Sequence, residues 1–181
     1  MGVHGKFIYW ILANNFFIFS TLGMTGHWSQ HAMAHSRVAL RFTDGSTTHF
    51  NDQRNFGTLK FVYGKQAMIQ KLESLGPDML ATDVDNVTFI TCLRKKNKWS
   101  IAKAIMDQSV IAGVGNYVKC DALWLANISP FREVNSLTDD ELVNLSEAIK
   151  KVLRDSYGKV DSTTNGSDKF LVYGKKNDVC G

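Results

Sequence analysis

No apolar run in this sequence is long enough to cross a bilayer. The longest candidate, Phe7–Leu12 followed by Phe16–Phe19, is interrupted by Asn14 and Asn15, whereas a spanning helix needs roughly 20 consecutive apolar residues. Cysteine is scarce and odd in number. Cys92, Cys120 and Cys180 stand far apart, which argues against a disulfide framework and for a reducing, intracellular compartment such as cytoplasm, nucleoid or nucleus. A myristoylation signal is missing too, because Lys6 stands where a Met1-Gly2 start would need Ser or Thr. Neither an internal repeat nor a low-complexity tract is present. What remains reads as a soluble globular chain of one ordinary domain or two small ones, with 44% hydrophobic residues to pack a core. Its net charge of +4 permits nucleic-acid binding without demanding it, so local charge must carry that argument.

The first third is β-like. The Asn14-Asn15 pair between two apolar runs predicts a hairpin turn, since Asn tolerates positive φ. Arg37–Phe42 and Thr47–Phe50 flank Asp44-Gly45, a second hairpin signal, and Leu59–Tyr63 is a further short strand candidate. Gln66–Leu75 predicts a helix stopped by Gly76-Pro77. From Asp83 onward the pattern is helical. Thr138–Glu141 is a capping box, with Leu137 placed to staple onto Leu142. Behind it Leu142, Leu145, Ile149, Val152 and Leu153 form one apolar stripe that reads as core. Gly158–Lys169 is polar and rich in Gly, Ser and Thr, a loop or linker, and Phe170–Tyr173 predicts a last short strand.

The densest chemical signal is Met106–Pro130. Within it Gly113-Val114-Gly115-Asn116 runs into Tyr117–Ala126, a glycine turn feeding a helix N-terminus. Such a turn presents unpaired N–H groups and a positive dipole end, which suit a phosphate, and Asn116 adds a side-chain amide. Arg94-Lys95-Lys96-Asn97-Lys98 is the densest basic run. Charge runs are usually solvated surface, so by itself this one fits either solvent or DNA.

Taken whole, MDQSVIAGVGNYVKCDALWLANISP closely resembles the helix–two-turn–helix (H2TH) element of the formamidopyrimidine/endonuclease VIII family of DNA glycosylases. Further matches follow in order along nearly the whole chain. The resemblance implies an α+β multidomain fold: a partial N-terminal β-sandwich over residues 1–66, a helical H2TH DNA-binding domain over 67–157, and over 158–181 a linker with the first residues of a zinc finger or zincless β-hairpin. It also implies roles. Asn116 would hold a backbone phosphate at the lesion. Gly5-Lys6-Phe7 resembles the family's GK-aromatic strand, whose lysine, here Lys6, contacts phosphates beside the reacting sugar and supports the active site. Leu22–Gly26 resembles the LGM(S/T)G loop, whose Met24 would fill the gap left by an extruded base. Asp52–Gly57 resembles the void-filling loop, in which Arg54 would pair with the orphaned opposite base and Phe56 wedge beside it. His35, Lys96 and Lys98 fall where the family carries DNA-contacting residues.

Departures carry weight as well. The family's chemistry starts from an N-terminal Pro-Glu, whose proline amine attacks C1′ of the flipped nucleotide, forms a Schiff base and leads to strand cleavage by elimination. This sequence opens Met1-Gly2-Val3-His4, already at the Lys6 strand. The expectation is therefore an internal fragment, or a wrongly started gene model, of a base-excision-repair DNA glycosylase and AP lyase that removes oxidised bases, itself inactive for want of the nucleophile. The alternative is a non-catalytic damaged-DNA-binding module. The implied partner is damaged double-stranded DNA, with no membrane and a monomeric chain. No organic cofactor is implied, because a protein amine is the covalent catalyst. Cys180 stands where a four-cysteine finger would place its first ligand, but Asp178–Gly181 fits a zincless hairpin equally, so zinc is left open. Thr21 replaces a phosphate-contacting histidine, Asp121 a glutamate and Asn55 a second arginine. The short Gly158–Lys169 segment leans the expected lesion towards oxidised pyrimidines rather than 8-oxoguanine.

Overall fold

The structure, a computed structural model, describes residues 1–157 and 170–174. The chain forms two compact units, Met1–Leu72 and a second beginning at Glu73. Among the described residues no helix is long and apolar enough to cross a membrane.

The first unit is built from seven strands: β1 (Gly2–His4), β2 (Phe7–Ile11), β3 (Phe16–Thr21), β4 (His27–Ser29), β5 (Ser36–Arg41), β6 (Thr47–Asn51) and β7 (Thr58–Tyr63). They form two antiparallel sheets, ordered β1-β2-β3-β7 and β4-β6-β5. Both expected hairpins are present. Asn14 and Asn15 turn the first with φ of 57° and 61°. Asp44 turns the second, its carboxylate accepting from the Ser46 hydroxyl and N–H at 2.6 and 2.9 Å. Aromatic rings fill the space between the sheets. Trp10 meets Trp28 edge-on at 5.1 Å, Trp28 meets Phe50 at 5.2 Å, and the Trp28 indole donates to the buried Ser20 hydroxyl at 3.2 Å. Large rings with one satisfied polar handle suit this half-wet layer. The helix α1 (Lys65–Glu73) follows β7, with Met68 buried and Lys71 over the Phe7 ring.

The second unit is helical: α2 (Asn86–Arg94), α3 (Ile101–Ala104), α4 (Asn116–Leu125) and α5 (Asp139–Tyr157). Asp85 caps α2 by accepting from the Thr88 N–H at 2.8 Å. The α5 capping box closes reciprocally, Thr138 N–H to Glu141 at 2.8 Å and Glu141 N–H to Thr138 Oγ1 at 3.2 Å. Arg132 forks onto the same glutamate, and it, followed by the Thr138 N–H, holds the carboxyl below its ordinary pKa. All five residues of the expected α5 stripe are buried, in one core with Phe89, Leu93, Ile101, Ile105, Val114 and Leu137.

One expected element is absent. Phe170–Tyr173 is a bend and turn, not a strand. The N–H groups of Leu171, Val172 and Tyr173 all donate to the buried Asp121 carboxylate, at 2.9, 3.0 and 3.1 Å. An extended strand points successive N–H groups to opposite sides. Three consecutive donors can converge on one carboxylate only if the backbone curls around it. The Phe170 ring packs on Tyr117 at 5.1 Å. The expected linker Gly158–Lys169, and Asp178–Gly181 with Cys180, lie outside the described residues.

Candidate nucleic-acid interface

In the first unit, the antiparallel register determines which residues share a sheet end. Ile8 lies opposite Ser20 and Thr21 opposite Thr58. The β1–β2 turn bearing Lys6, the Leu22–Gly26 loop and the loop leading into β7 therefore leave the sheet at the same end. Lys6 is exposed there, after Gly5 with φ 55°. Thr21 bonds the Thr58 hydroxyl at 2.7 Å, a strand-to-strand tie.

Asp52 locks the two loops together. It is 1% exposed, and one carboxylate oxygen accepts from the Gly57 N–H at 2.7 Å. The other accepts from the Thr25 hydroxyl and, at 3.2 Å, from the Arg54 N–H. The Thr25 hydroxyl, then the Gly57 N–H, hold this carboxyl below its ordinary pKa. The loops approach so closely that a Cβ on Gly23, where φ is +60°, would lie 2.7 Å from the Phe56 backbone. Only glycine fits. On this base stand the three side chains that the resemblance singled out. Met24 is 68% exposed and Phe56 56%. The Arg54 guanidinium lies over the Phe56 ring at 5.2 Å, with Nη1 3.6 Å from the Met24 sulfur. The result is one exposed tip, apolar with a planar cation at its centre. His35 joins the same junction through its backbone, its carbonyl accepting from the Asp52 N–H at 3.0 Å, while its ring is exposed.

The pH response of this junction has a definite sign. Because the folded pKa of Asp52 is depressed, its ties are intact above about pH 4 and are lost as pH falls through the folded value. The Gly57 and Arg54 amide resonances should titrate together over that acid window. Asp52→Ala should show the loosened amides already at neutral pH, and amides that stay protected in that variant would contradict the assignment.

In the second unit, the glycine turn is braced by Gln108. Its Oε1 accepts from the Gly113 N–H at 3.0 Å, and its amide donates to the Val114 carbonyl at 3.0 Å. Gly113 has φ 101°. Asn116 opens α4 and is exposed, and its Oδ1 accepts from Lys119 Nζ at 2.5 Å. The Lys119 N–H, bonded to the Gly115 carbonyl at 2.9 Å, is the first to turn back along the helix. The Asn116, Tyr117 and Val118 N–H groups precede it, which is the anion-ready arrangement of a helix start.

The basic run divides. Arg94 turns to the fold, donating to the Val134 and Leu137 carbonyls at 2.7 and 2.8 Å and to Asp139 at 2.7 Å. Lys96 and Lys103 flank Trp99, at 4.5 and 3.8 Å from its ring centre. Both contribute, after Ser109, to lowering the Asp107 pKa. Lys98 is exposed.

Asp52 and Gln108 were missed as site residues by sequence reasoning. An Asp at the head of a polar loop is an Asx-turn signal and was there to be read. The bond from Gln108 across five residues leaves no periodicity. Among the described residues no group of three or more His, Cys, Asp or Glu gathers to hold a metal.

Two family models match the chain, the formamidopyrimidine-DNA glycosylase N-terminal domain over residues 1–59 and the formamidopyrimidine-DNA glycosylase H2TH domain over residues 75–167. The chain belongs to the formamidopyrimidine-DNA glycosylase family. The family member from Oceanobacillus iheyensis is 32% identical over 170 residues, covering 91% of this chain and 60% of the relative. That of a Wolbachia sp. of Drosophila simulans is 33% identical over 192 residues, covering 97% and 70%. The MutM (Fpg) protein of Thermus thermophilus is similar in structure, with TM-score 0.76 at 33% identity over 93% of this chain and 62% of that one. Lactococcus lactis Fpg, in complex with a Fapy-dG-containing DNA, reaches TM-score 0.81 at 26% identity over 99% and 71%. The chain thus spans about 60% of the Oceanobacillus and Thermus relatives.

Proposed function

We propose that this chain carries the damaged-DNA grip of a base-excision-repair glycosylase and AP lyase that removes oxidised bases. The observation that carries the reading is the tip of Met24, Arg54 and Phe56 on the Asp52 junction. A duplex pays a few kcal/mol to unstack and extrude one base. An exposed thioether and ring entering the vacated step offset that cost by replacing lost stacking contacts. The Arg54 fork, stacked on Phe56, meets the hydrogen-bonding edge of the orphaned base. Asn116 and the α4 start hold a backbone phosphate, with Lys96 and Lys98 adding charge, and Lys6 and His35 reach phosphates from the sheet end. The family resemblance assigns the nucleophile at C1′ to a proline amine. The residues assigned here bind, kink and hold the DNA around it.

The reading also keeps the expected segments 1–66, 67–157 and 158–181, a monomer in an intracellular compartment, no organic cofactor, and oxidised pyrimidines as the preferred lesions. Cys180 by itself cannot hold a structural zinc, which takes four ligands.

Binding to duplexes with an abasic-site analogue is the test. Asn116→Ala and the pair Lys96→Ala with Lys98→Ala should weaken binding to every sequence. The lysine pair should also flatten the log–log salt slope by roughly one unit per lost phosphate contact. Arg54→Ala should instead change preference for the base opposite the lesion more than overall affinity. Unchanged affinity and slope in the Asn116 and lysine variants would refute the grip.

A further inference from the structure

The sequence has six methionines, and their surroundings differ. Met68 and Met79 are buried, whereas Met1, Met24 and Met33 are more than half exposed. A thioether open to water is open to peroxides, which turn a flexible apolar side chain into a polar one. Among the described residues, Met24 is the methionine whose sulfur meets a guanidinium, with Arg54 Nη1 3.6 Å away.

The backbone fixes this meeting from both sides. The Gly26 N–H closes the loop on the Leu22 carbonyl at 2.8 Å. Gly23 lies against the Phe56 backbone, and the Thr25 hydroxyl donates to Asp52. The Arg54 N–H donates to the same carboxylate oxygen at 3.2 Å. Met24 and Arg54 therefore rise from one anchored base, and the guanidinium also lies over the Phe56 ring at 5.2 Å.

A thioether is a weak acceptor, so it leaves the Arg54 fork free for a base edge. A sulfoxide oxygen on the same sulfur is a strong acceptor beside a fixed cation. It takes an Arg54 N–H in a charge-assisted bond and withdraws it from the base. The tip also loses the apolar edge that replaces lost stacking in a vacated base step.

We propose that Met24 is a reversible oxidation site whose sulfoxide captures Arg54 and loosens the hold on damaged DNA, an inference that rests on the DNA-grip reading above. The oxidant is hydrogen peroxide. The sulfur lone pair attacks one peroxide oxygen, the S–O bond forms and the O–O bond breaks. Sulfur loses two electrons, and the departing hydroxide takes the proton of the transferred hydroxyl and leaves as water.

The test treats the full chain with hydrogen peroxide, then with dithiothreitol to return oxidised cysteines to thiols. Fragment-ion mass spectrometry should place one added oxygen on Met24 ahead of Met68 and Met79. Affinity for duplexes with an abasic-site analogue should fall by about tenfold, and the preference among opposite bases should flatten. Methionine sulfoxide reductases for both sulfoxide epimers should restore both. Met33→Leu should respond to peroxide as the parent does, while Met24→Leu should bind alike before and after treatment. In Arg54→Ala, oxidation should leave the opposite-base preference unmoved. An unoxidised Met24, a loss of binding that persists in Met24→Leu, or full sulfoxide at Met24 with affinity and preference intact would overturn the site. An untreated chain that binds the abasic duplex no better than an intact one would instead sink the grip reading, and this site with it.

Discussion

Phe89→Ala is expected to lower the stability of the helical unit by about 3–5 kcal/mol. Phe89 is fully buried in α2, in one core with Leu93, Leu145 and Ile149. Truncation removes its contacts and leaves a cavity that the close-packed side chains around it fill only in part. A domain of this size has only about 5–15 kcal/mol in total. The unfolding transition of the helical unit should therefore drop by more than about 12 °C. The same core includes Val114 and Val118, on either side of the Gly115-Asn116 start of α4. Loss of packing should accordingly appear as weaker DNA binding at temperatures where the first unit is intact. Circular dichroism melting measures the first effect. A shift of only a few degrees would mean that the Phe89 ring is not packed as described.

Arg94→Ala should cost about 3 kcal/mol of stability and leave the salt dependence of DNA binding unaltered in the folded fraction. Arg94 satisfies two carbonyls at the 134–137 turn and Asp139 in the first turn of α5. A charged hydrogen bond is worth about 1.5–3 kcal/mol, and the three share one side chain, so they do not add fully. Arg94→Lys keeps the charge but not the planar fork, and should recover only part of the loss. Denaturant unfolding reads the stability, and the log–log salt slope reads phosphate contacts. A variant as stable as the parent with a flatter slope would make Arg94 a DNA contact and return it to the basic run. This separates Arg94 from Lys96 and Lys98, its neighbours in sequence.

The local devices were legible without any structure. Asn14-Asn15 and Asp44-Gly45 turn hairpins because few residues tolerate positive φ, a preference carried by the residue itself. Thr138 and Glu141 cap α5 because their partners lie three residues away. The α5 stripe was readable because the helical period places its members on one face. The order of the LGMTG loop, the Arg54 loop and the GVGN turn carried the family resemblance, which the match to both family models bears out.

Tertiary structure decided whatever depended on partners distant in the chain. Asp121, read only as a substitution in α4, gathers three N–H groups fifty residues away and bends a segment whose composition favours a strand. Asp52, 27 residues from Thr25, makes one tip of two loops. Arg94 left the basic run because Asp139 lies 45 residues on. Side-chain propensity and periodicity act over one turn or one hairpin, and a single sequence records them directly. A buried carboxylate or guanidinium must find donors or acceptors wherever the fold brings them, because leaving it unpaired costs more than bending the backbone to reach it.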